Sequence, residues 1–211
     1  RAGFTSLMYD GSAQPYEDNV AITAKICEAA HACGVPVEAE LGRVLQSRDG
    51  VTAEQVLDAM TDPALAGDFV RRTGCDSLAI AVGSVHAMQE REAELDLERI
   101  RACALAVPIP LVLHGSSGVK HQSIQAAIEC GIAKINVSTY VASGFTEVLR
   151  LESARLPAEF DPRKILGPAR AEAKERVQEK IRLFGSAGKA TASGWRSGSK
   201  QFSMAAFAAI E

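Results

Sequence analysis

Short apolar runs alternate with longer stretches of helical spacing along most of this chain. The apolar runs predict five strands, at residues 4–9, 37–41, 77–82, 111–113 and 134–138. Apolar residues that recur every three or four positions predict helices at residues 17–33, 53–60, 63–73, 95–106, 122–130, 140–151 and 170–183. Because nearly continuous apolar strands are typical of parallel sheets covered on both faces, the pattern predicts a parallel α/β fold.

Polar residues mark the ends of these strands. Each strand is closed or followed by one candidate for chemistry: Asp10, Glu40, His86, His114 and Asn136. The carboxyl ends of parallel strands meet at one rim, where α/β folds place their chemistry. Two imidazoles and one or two carboxylates on one rim fit a zinc site. A single histidine after a strand is more often a hydrogen-bonded loop residue, and an aspartate before a glycine is often only a turn.

The stretch 110–118, PLVLHGSSG, combines a short strand that stops at His114 with a loop of small residues that leads into a helix. Backbone N–H groups in such a loop can approach a phosphate closely. The same composition is found in ordinary flexible loops, so this loop alone is weak evidence for phosphate binding.

Composition narrows the class of protein. The 211 residues suffice for one sizeable core, with 47% hydrophobic residues, a net charge of -3 and an isoelectric point of 5.9. This balance argues against a nucleic-acid surface, and no apolar run approaches the roughly 20 residues that cross a bilayer. The five cysteines form no CxxC pair, which predicts reduced thiols and a cytoplasmic location. Organellar targeting stays open because the chain begins at Arg1.

Six short motifs resemble, in family order, the class II metal-dependent ketose-bisphosphate aldolases that act on fructose and tagatose bisphosphates. The motifs are MYDGS at 8–12, VEAELG at 37–42, GSVH at 83–86, LHGSSG at 113–118, KINVST at 134–139 and IRLFGSAG at 181–188. The chain resembles most the aldolase-like segment at the end of some multidomain plant and algal proteins. The resemblance implies a TIM (β/α)8 barrel of which strands four to eight are present, within a barrel domain at residues 1–190. Residues 191–211 are expected to form a loose tail that could end in a helix.

The resemblance also implies a metal site. His86 and His114 match two of the family's three zinc ligands. Glu40 matches a carboxylate near the metal and is a catalytic candidate, and Asp10 matches an adjacent acidic position that could also serve the metal. Zinc in such enzymes polarises the carbonyl of dihydroxyacetone phosphate and stabilises the enediolate. Asn136, the second catalytic candidate, would contact the substrate hydroxyls or the enediolate.

The implied partner is a small-molecule sugar phosphate. The positions that match the family's phosphate-binding residues are Gly115, Ser117, Ser138 and Thr139, with Asn136 beside them. The resemblance further implies a homo-oligomer, a dimer or a tetramer, with no nucleic-acid or membrane partner.

The sequence departs from the family pattern in several places. The His-Leu-Asp-His type segment, which carries the third zinc histidine and the catalytic aspartate, is expected before Arg1. Ala87 replaces a glycine at a position tied to phosphate or to a potassium-type monovalent cation. The loop 43–50 lacks the family's glutamate, and Ser138 replaces an acidic residue or alanine.

Three functions follow as hypotheses. The first is zinc-dependent aldol cleavage of a ketose bisphosphate to dihydroxyacetone phosphate and an aldehyde phosphate. Absence of the segment expected before Arg1 would impair this activity. The second is a non-catalytic phosphate-binding or scaffolding module. The third is a related metal-dependent lyase acting on another sugar phosphate or a sugar acid.

Overall fold

The computed structural model describes residues 3–46, 50–85 and 93–190 in full, and residues 207–209 as backbone. One parallel sheet runs through this part of the chain. Its strands are β1 (Leu7–Tyr9), β2 (Val37–Leu41), β3 (Ser77–Ile80), β4 (Leu111–Leu113), β5 (Ile132–Asn136) and β6 (Phe207–Ala209). Each strand pairs in parallel with the next one along the chain, and the order in the sheet is the order in the sequence. This sequential order is what repeated βα units of one hand produce. The predicted parallel α/β fold is confirmed.

Helices connect the strands. In the described ranges they are α1 (Tyr16–His31), α2 (Ala53–Ala59), α3 (Pro63–Thr73), α4 (Leu97–Ala106), α5 (His121–Glu129), α6 (Thr139–Arg155) and α7 (Pro162–Leu183). Local sequence explains several of the boundaries. Thr52 and Gln55 form a capping box before α2, and the Asp62 carboxylate accepts from the Ala64 N–H at the start of α3. None of these helices is long and apolar enough to span a membrane.

The largest differences from the predicted elements lie toward the carboxyl end of the chain. The predicted helix at 170–183 begins eight residues earlier, at Pro162, because Asp161 caps it and proline fits its first turn. Pro168 lies inside this helix, a position where proline usually breaks the pattern. The terminal helix expected in the tail is wrong for residues 207–209, which pair with β5 as a strand.

The two faces of the sheet differ in polarity. Because side chains alternate along a strand, Val37, Ala39 and Leu41 of β2 share one face, while Glu38 and Glu40 share the other. The first face belongs to the hydrophobic core that packs against the helices, with members from every one of the strands β2 to β5. The second face carries the buried carboxylates. In a barrel this second face is the interior.

Candidate active site

His114 lies at the rim because of the local sequence that follows β4. The three residues of β4 are buried, and His114 is only 3% exposed. Gly115 then takes a left-handed conformation with φ 65°, which favours glycine. A Cβ at this position would lie 3.1 Å from the carbonyl carbon of Val85, so the glycine also permits a close approach of two rim loops. A short 3-10 turn, Ser116–Gly118, completes the loop.

Both ring nitrogens of His114 face a carboxylate. Nδ1 lies 2.9 Å from Oε2 of Glu40, and Nε2 lies 3.0 Å from Oε1 of Glu38. Burial alone lowers the pKa of His114, but its hydrogen bonds with Glu38 and Glu40 and their negative charges outweigh burial and raise the pKa to about 9. The protonated ring therefore donates from both nitrogens.

Glu38 joins His114 to a lysine. Its Oε2 lies 2.9 Å from Nζ of Lys134, and the Glu38 side chain is 7% exposed. Burial raises the pKa of this carboxyl, but the hydrogen bonds from His114 and Lys134 and their positive charges hold it below its usual value. Glu38 is therefore ionised at neutral pH, as a partner of two cations.

Asn136 closes the arrangement into a ring. The Nζ of Lys134 donates to Oδ1 of Asn136 at 2.6 Å, and Nδ2 of Asn136 lies 3.0 Å from Nε2 of His114. We call the set formed by Glu38, Glu40, His114, Lys134 and Asn136 the polar ring. Its formal charges balance, with two carboxylates against Lys134 and a protonated His114. The Lys134 contact fixes the Asn136 amide with its nitrogen toward Nε2 of His114, which can accept a hydrogen bond from it only when the imidazole is neutral.

A second group of polar atoms lies beside the polar ring. The Ser116 hydroxyl donates to the Asn136 carbonyl at 2.8 Å, and the Ser117 hydroxyl accepts from the Tyr140 N–H at 3.2 Å. These bonds join the loop after β4 to the end of β5 and to the first turn of α6, which Ser138 precedes and Thr139 begins. Because the helix dipole places partial positive charge at the N-terminus of α6, this corner is suited to an anion.

A cleft of about 620 Å³ opens on the same rim. It lies between the loops that follow β1 and β2 and the helix α2. The lining side chains are of mixed polarity and include Asp10, Ser12, Arg43, Val44, Gln55 and Asp58. Val44 lines the cleft and also reaches the loop that follows His114, since its Cγ1 lies 3.2 Å from the Cβ position of Gly115. The rim thus has room for a small-molecule substrate.

Comparison with known proteins identifies the family. The profile described as "Fructose-bisphosphate aldolase class-II" matches residues 1–189. The chain belongs to this family. It is 47% identical to a fructose-bisphosphate aldolase of Geobacillus stearothermophilus, a match that covers 90% of this chain and 65% of that protein. A fructose-bisphosphate aldolase of Thermus caldophilus is 41% identical, with 90% of this chain and 70% of that protein covered.

A solved structure agrees with the family assignment. The crystal structure of the YdjI aldolase from Escherichia coli K12 superposes with a TM-score of 0.74 at 39% identity, over 90% of this chain and 64% of that one. The barrel class implied by the sequence is thereby confirmed, with the chain spanning about two thirds of the length of these class II relatives. These relatives are bacterial, so the likeness to plant and algal segments stays a prediction.

The structure brings together three of the residues expected at the site. Glu40, His114 and Asn136 all belong to the polar ring. Gly115 and Ser117 lie in the adjoining loop. Their expected roles in catalysis, metal binding and phosphate binding stay predictions. His86 and Ala87 lie outside the described residues.

Asp10, Ser138 and Thr139 are not members of the polar ring. Asp10 is exposed, and its Oδ1 accepts from the Ser12 N–H at 2.9 Å, which is the geometry of a turn. It also lines the cleft. Ser138 precedes α6 and Thr139 is its first residue. The metal role of Asp10 and the phosphate roles of the other two stay predictions.

Sequence reasoning missed Glu38 and Lys134. It looked for polar residues at strand ends, and these two lie one pleat earlier, two residues before Glu40 and Asn136. The available signal was alternation: in a strand, residues two apart share a face. The motifs VEAEL and KIN each place two polar side chains on the same side of the sheet.

The donor types at the polar ring fit zinc, which takes imidazole nitrogen and carboxylate oxygen. Within the described ranges, however, no group of three or more His, Cys, Asp and Glu side chains is arranged to hold a metal ion. The ring nitrogens of His114 face carboxylates, and only the neutral imidazole has a lone pair for a metal. Metal binding at His114 therefore requires loss of a proton and a second protein ligand, for which His86 is the family match.

Proposed function

We propose that this chain carries a class II aldolase site that cleaves a ketose bisphosphate reversibly to dihydroxyacetone phosphate and an aldehyde phosphate. One observation carries the proposal. Most of the polar ring is buried, and it lies toward the carboxyl ends of β2, β4 and β5, directly beside a loop and a helix N-terminus suited to phosphate. Family membership over residues 1–189 supports the same reaction class.

Each side chain of the ring has a task in this proposal. His114 and His86 would hold zinc, with Glu40 orienting the His114 ring through Nδ1. Zinc supplies a Lewis acid that polarises the substrate carbonyl. The Asn136 amide, held by Lys134, would donate to a substrate oxygen. The Ser117 loop and the first turn of α6, with Ser138 and Thr139, would bind the phosphate.

The test measures zinc content and cleavage of fructose 1,6-bisphosphate on the purified chain. About one zinc per chain, lost in both His86→Ala and His114→Ala, is expected from a two-histidine site. Dihydroxyacetone phosphate release should fall with the zinc. His31→Ala is the matched control, because His31 is an exposed histidine paired with Asp76 at the other end of the sheet. A zinc-loaded chain that exchanges no proton of dihydroxyacetone phosphate would contradict the proposal.

The second candidate is a phosphate-binding or scaffolding module without catalysis. Its support is that His114 is fully engaged by Glu38 and Glu40, as in a structural ion-pair network. A folded chain without zinc, which still binds phosphate, would favour this candidate. A substrate panel with fructose and tagatose bisphosphates and sugar acids distinguishes the related lyase. Assembly as a dimer or tetramer, a monovalent-cation requirement and a cytoplasmic location stay predictions.

A further inference from the structure

Tyr140 connects the expected phosphate corner to the last long helix. It is the second residue of α6, directly after Ser138 and Thr139. Its backbone N–H donates to the Ser117 hydroxyl at 3.2 Å, so its position sets the distance between the loop after β4 and the start of α6. Any contact that holds Tyr140 also holds both parts of this corner.

Side chains from one turn of α7 contact the Tyr140 ring and hydroxyl. The guanidinium carbon of Arg176 lies 4.8 Å from the ring centroid, and Nζ of Lys180 lies 4.7 Å from it. The Tyr140 hydroxyl donates to Oε2 of Glu179 at 2.5 Å. The other oxygen of Glu179 lies 3.6 Å from Nε2 of His121, the first residue of α5. Lys180 is 2% exposed, and cation–π attraction strengthens where water is excluded.

Gly144 explains how Arg176 reaches this position. Glycine is unfavourable inside a helix, yet Gly144 is buried within α6. A Cβ at Gly144 would lie 2.1 Å from Nε and 2.4 Å from the guanidinium carbon of Arg176. The missing side chain therefore leaves the space in which Arg176 crosses α6.

Arg176 is fixed in this space by directed bonds. Its guanidinium donates to the Tyr140 carbonyl at 2.8 Å, and its Nε donates to Glu172 at 2.7 Å. Because carboxylates of Glu172 and Glu147 pair with it, Arg176 adds little net field to the corner. Its contribution is geometric.

We propose that α7 acts as a clamp on the phosphate corner, with Tyr140 and Arg176 as positioning residues. The clamp holds the first turn of α6 against the Ser117 loop, so that the groups that bind a phosphate monoester are ordered before the ligand arrives. Preorganised groups bind more tightly because less ordering remains to be done on binding. The inference rests on the proposed phosphate role of Ser117, Ser138 and Thr139.

The test compares variants of the full chain by calorimetric titration with inorganic phosphate and with dihydroxyacetone phosphate. Gly144→Ala keeps every charge but displaces Arg176, and Arg176→Met removes the guanidinium. Both should raise the Kd for phosphate about three- to tenfold, with KM changing more than kcat. Lys174→Met is the matched control, since it removes an exposed cation from the same helix. It should leave the Kd unchanged.

Several outcomes overturn the clamp. If the wild-type chain binds phosphate and neither Gly144→Ala nor Arg176→Met changes the Kd, the clamp is wrong and the proposed function stands. Equal weakening by Lys174→Met would replace the clamp with a general charge effect. A wild-type chain without affinity for either ligand overturns both the clamp and the phosphate site. Should Gly144→Ala fail to fold, Arg176→Met and a Tyr140→Leu variant decide, each with its melting temperature measured in parallel.

Discussion

The two faces of the sheet bury different kinds of side chain, apolar on the helix face and charged on the interior face. On β2, Ala39 is 0% exposed and Glu40 is 2% exposed, although they are neighbours in sequence. Burial of apolar side chains on the helix face stabilises the fold by about 25 cal/mol per Å². Burial of charge on the interior face costs free energy that ion pairing only partly returns. A chain selected for stability alone would have little reason to keep the second arrangement.

The difference separates folding from function within a single strand. The helix face is built from side chains that touch α-helices, and the interior face from side chains that touch one another across β2, β4 and β5. We expect substitutions on the first face to act on stability. Substitutions on the second face should act on the site, with smaller and mutually dependent effects on stability.

Leu78→Ala should have the largest effect on stability. Leu78 is fully buried on the helix face of β3, so its truncation leaves a cavity. The free energy of unfolding should fall by about 2–5 kcal/mol in urea denaturation, with kcat of the folded protein unchanged. Leu105→Ala, at a side chain 90% exposed on α4, is the control and should change little. Equal losses in the two variants would contradict the assignment of this face to the core.

Lys134→Met should have the second-largest effect on stability. It should lower the free energy of unfolding by about 2 kcal/mol, because it leaves Glu38 with one cation fewer. The loss is smaller than for a fully buried pair, since the Lys134 side chain is 27% exposed. The double variant with Glu38→Gln should lose less than the sum of the two single variants, by about 1 kcal/mol. Denaturation of the four proteins of this cycle gives the coupling free energy. Strict additivity would show that the two residues do not act as a pair.

Thr61→Val tests the link between the ends of β2 and β3. The buried Thr61 hydroxyl donates to the Leu41 carbonyl and accepts from the Ala81 N–H at 2.8 Å, so it joins the ends of β2 and β3. Without it, two buried backbone groups lose a partner, and stability should fall by about 1–2 kcal/mol. Thr61→Ser keeps the hydroxyl and should recover most of the loss. A Thr61→Ser protein as unstable as Thr61→Val would assign the effect to packing of the methyl group.

Sequence patterns predicted the sheet better than the site. Five strands and the parallel class follow from apolar runs that alternate with helical stretches, because this hydrophobic pattern is visible in each local segment. The polar ring depends on pairs far apart in sequence, such as Glu38 with His114 and Glu38 with Lys134. Strand-end positions led to His114, but nothing local indicates that both of its nitrogens meet carboxylates.

The remaining misses have local causes. The predicted helix begins only at residue 170, after Pro168, whereas Asp161 and Pro162 already carry the start signal. The run AAFAAI near the carboxyl end is short and apolar, a length at which helix and strand are equally compatible with the pattern. Tyr140 and Gly144 gave no sequence signal because their contacts come from α7, more than thirty residues later.

Cysteine labelling is the smallest of the expected effects, and it reports directly on how tightly the helix face is packed. Cys33 is exposed, while Cys27, Cys75, Cys103 and Cys130 are buried. Burial raises the pKa of the Cys27 and Cys103 thiols to about 11, so they stay protonated, and the thiolate is the reactive form. Ellman's reagent at pH 8 should label about one thiol quickly, and Cys33→Ser should abolish that phase while Cys27→Ala keeps it. A second fast-reacting thiol in the native protein would mean that the helix layer opens without global unfolding. The helix face would then not be the closed, purely structural side of the sheet that the comparison with the interior face assumes.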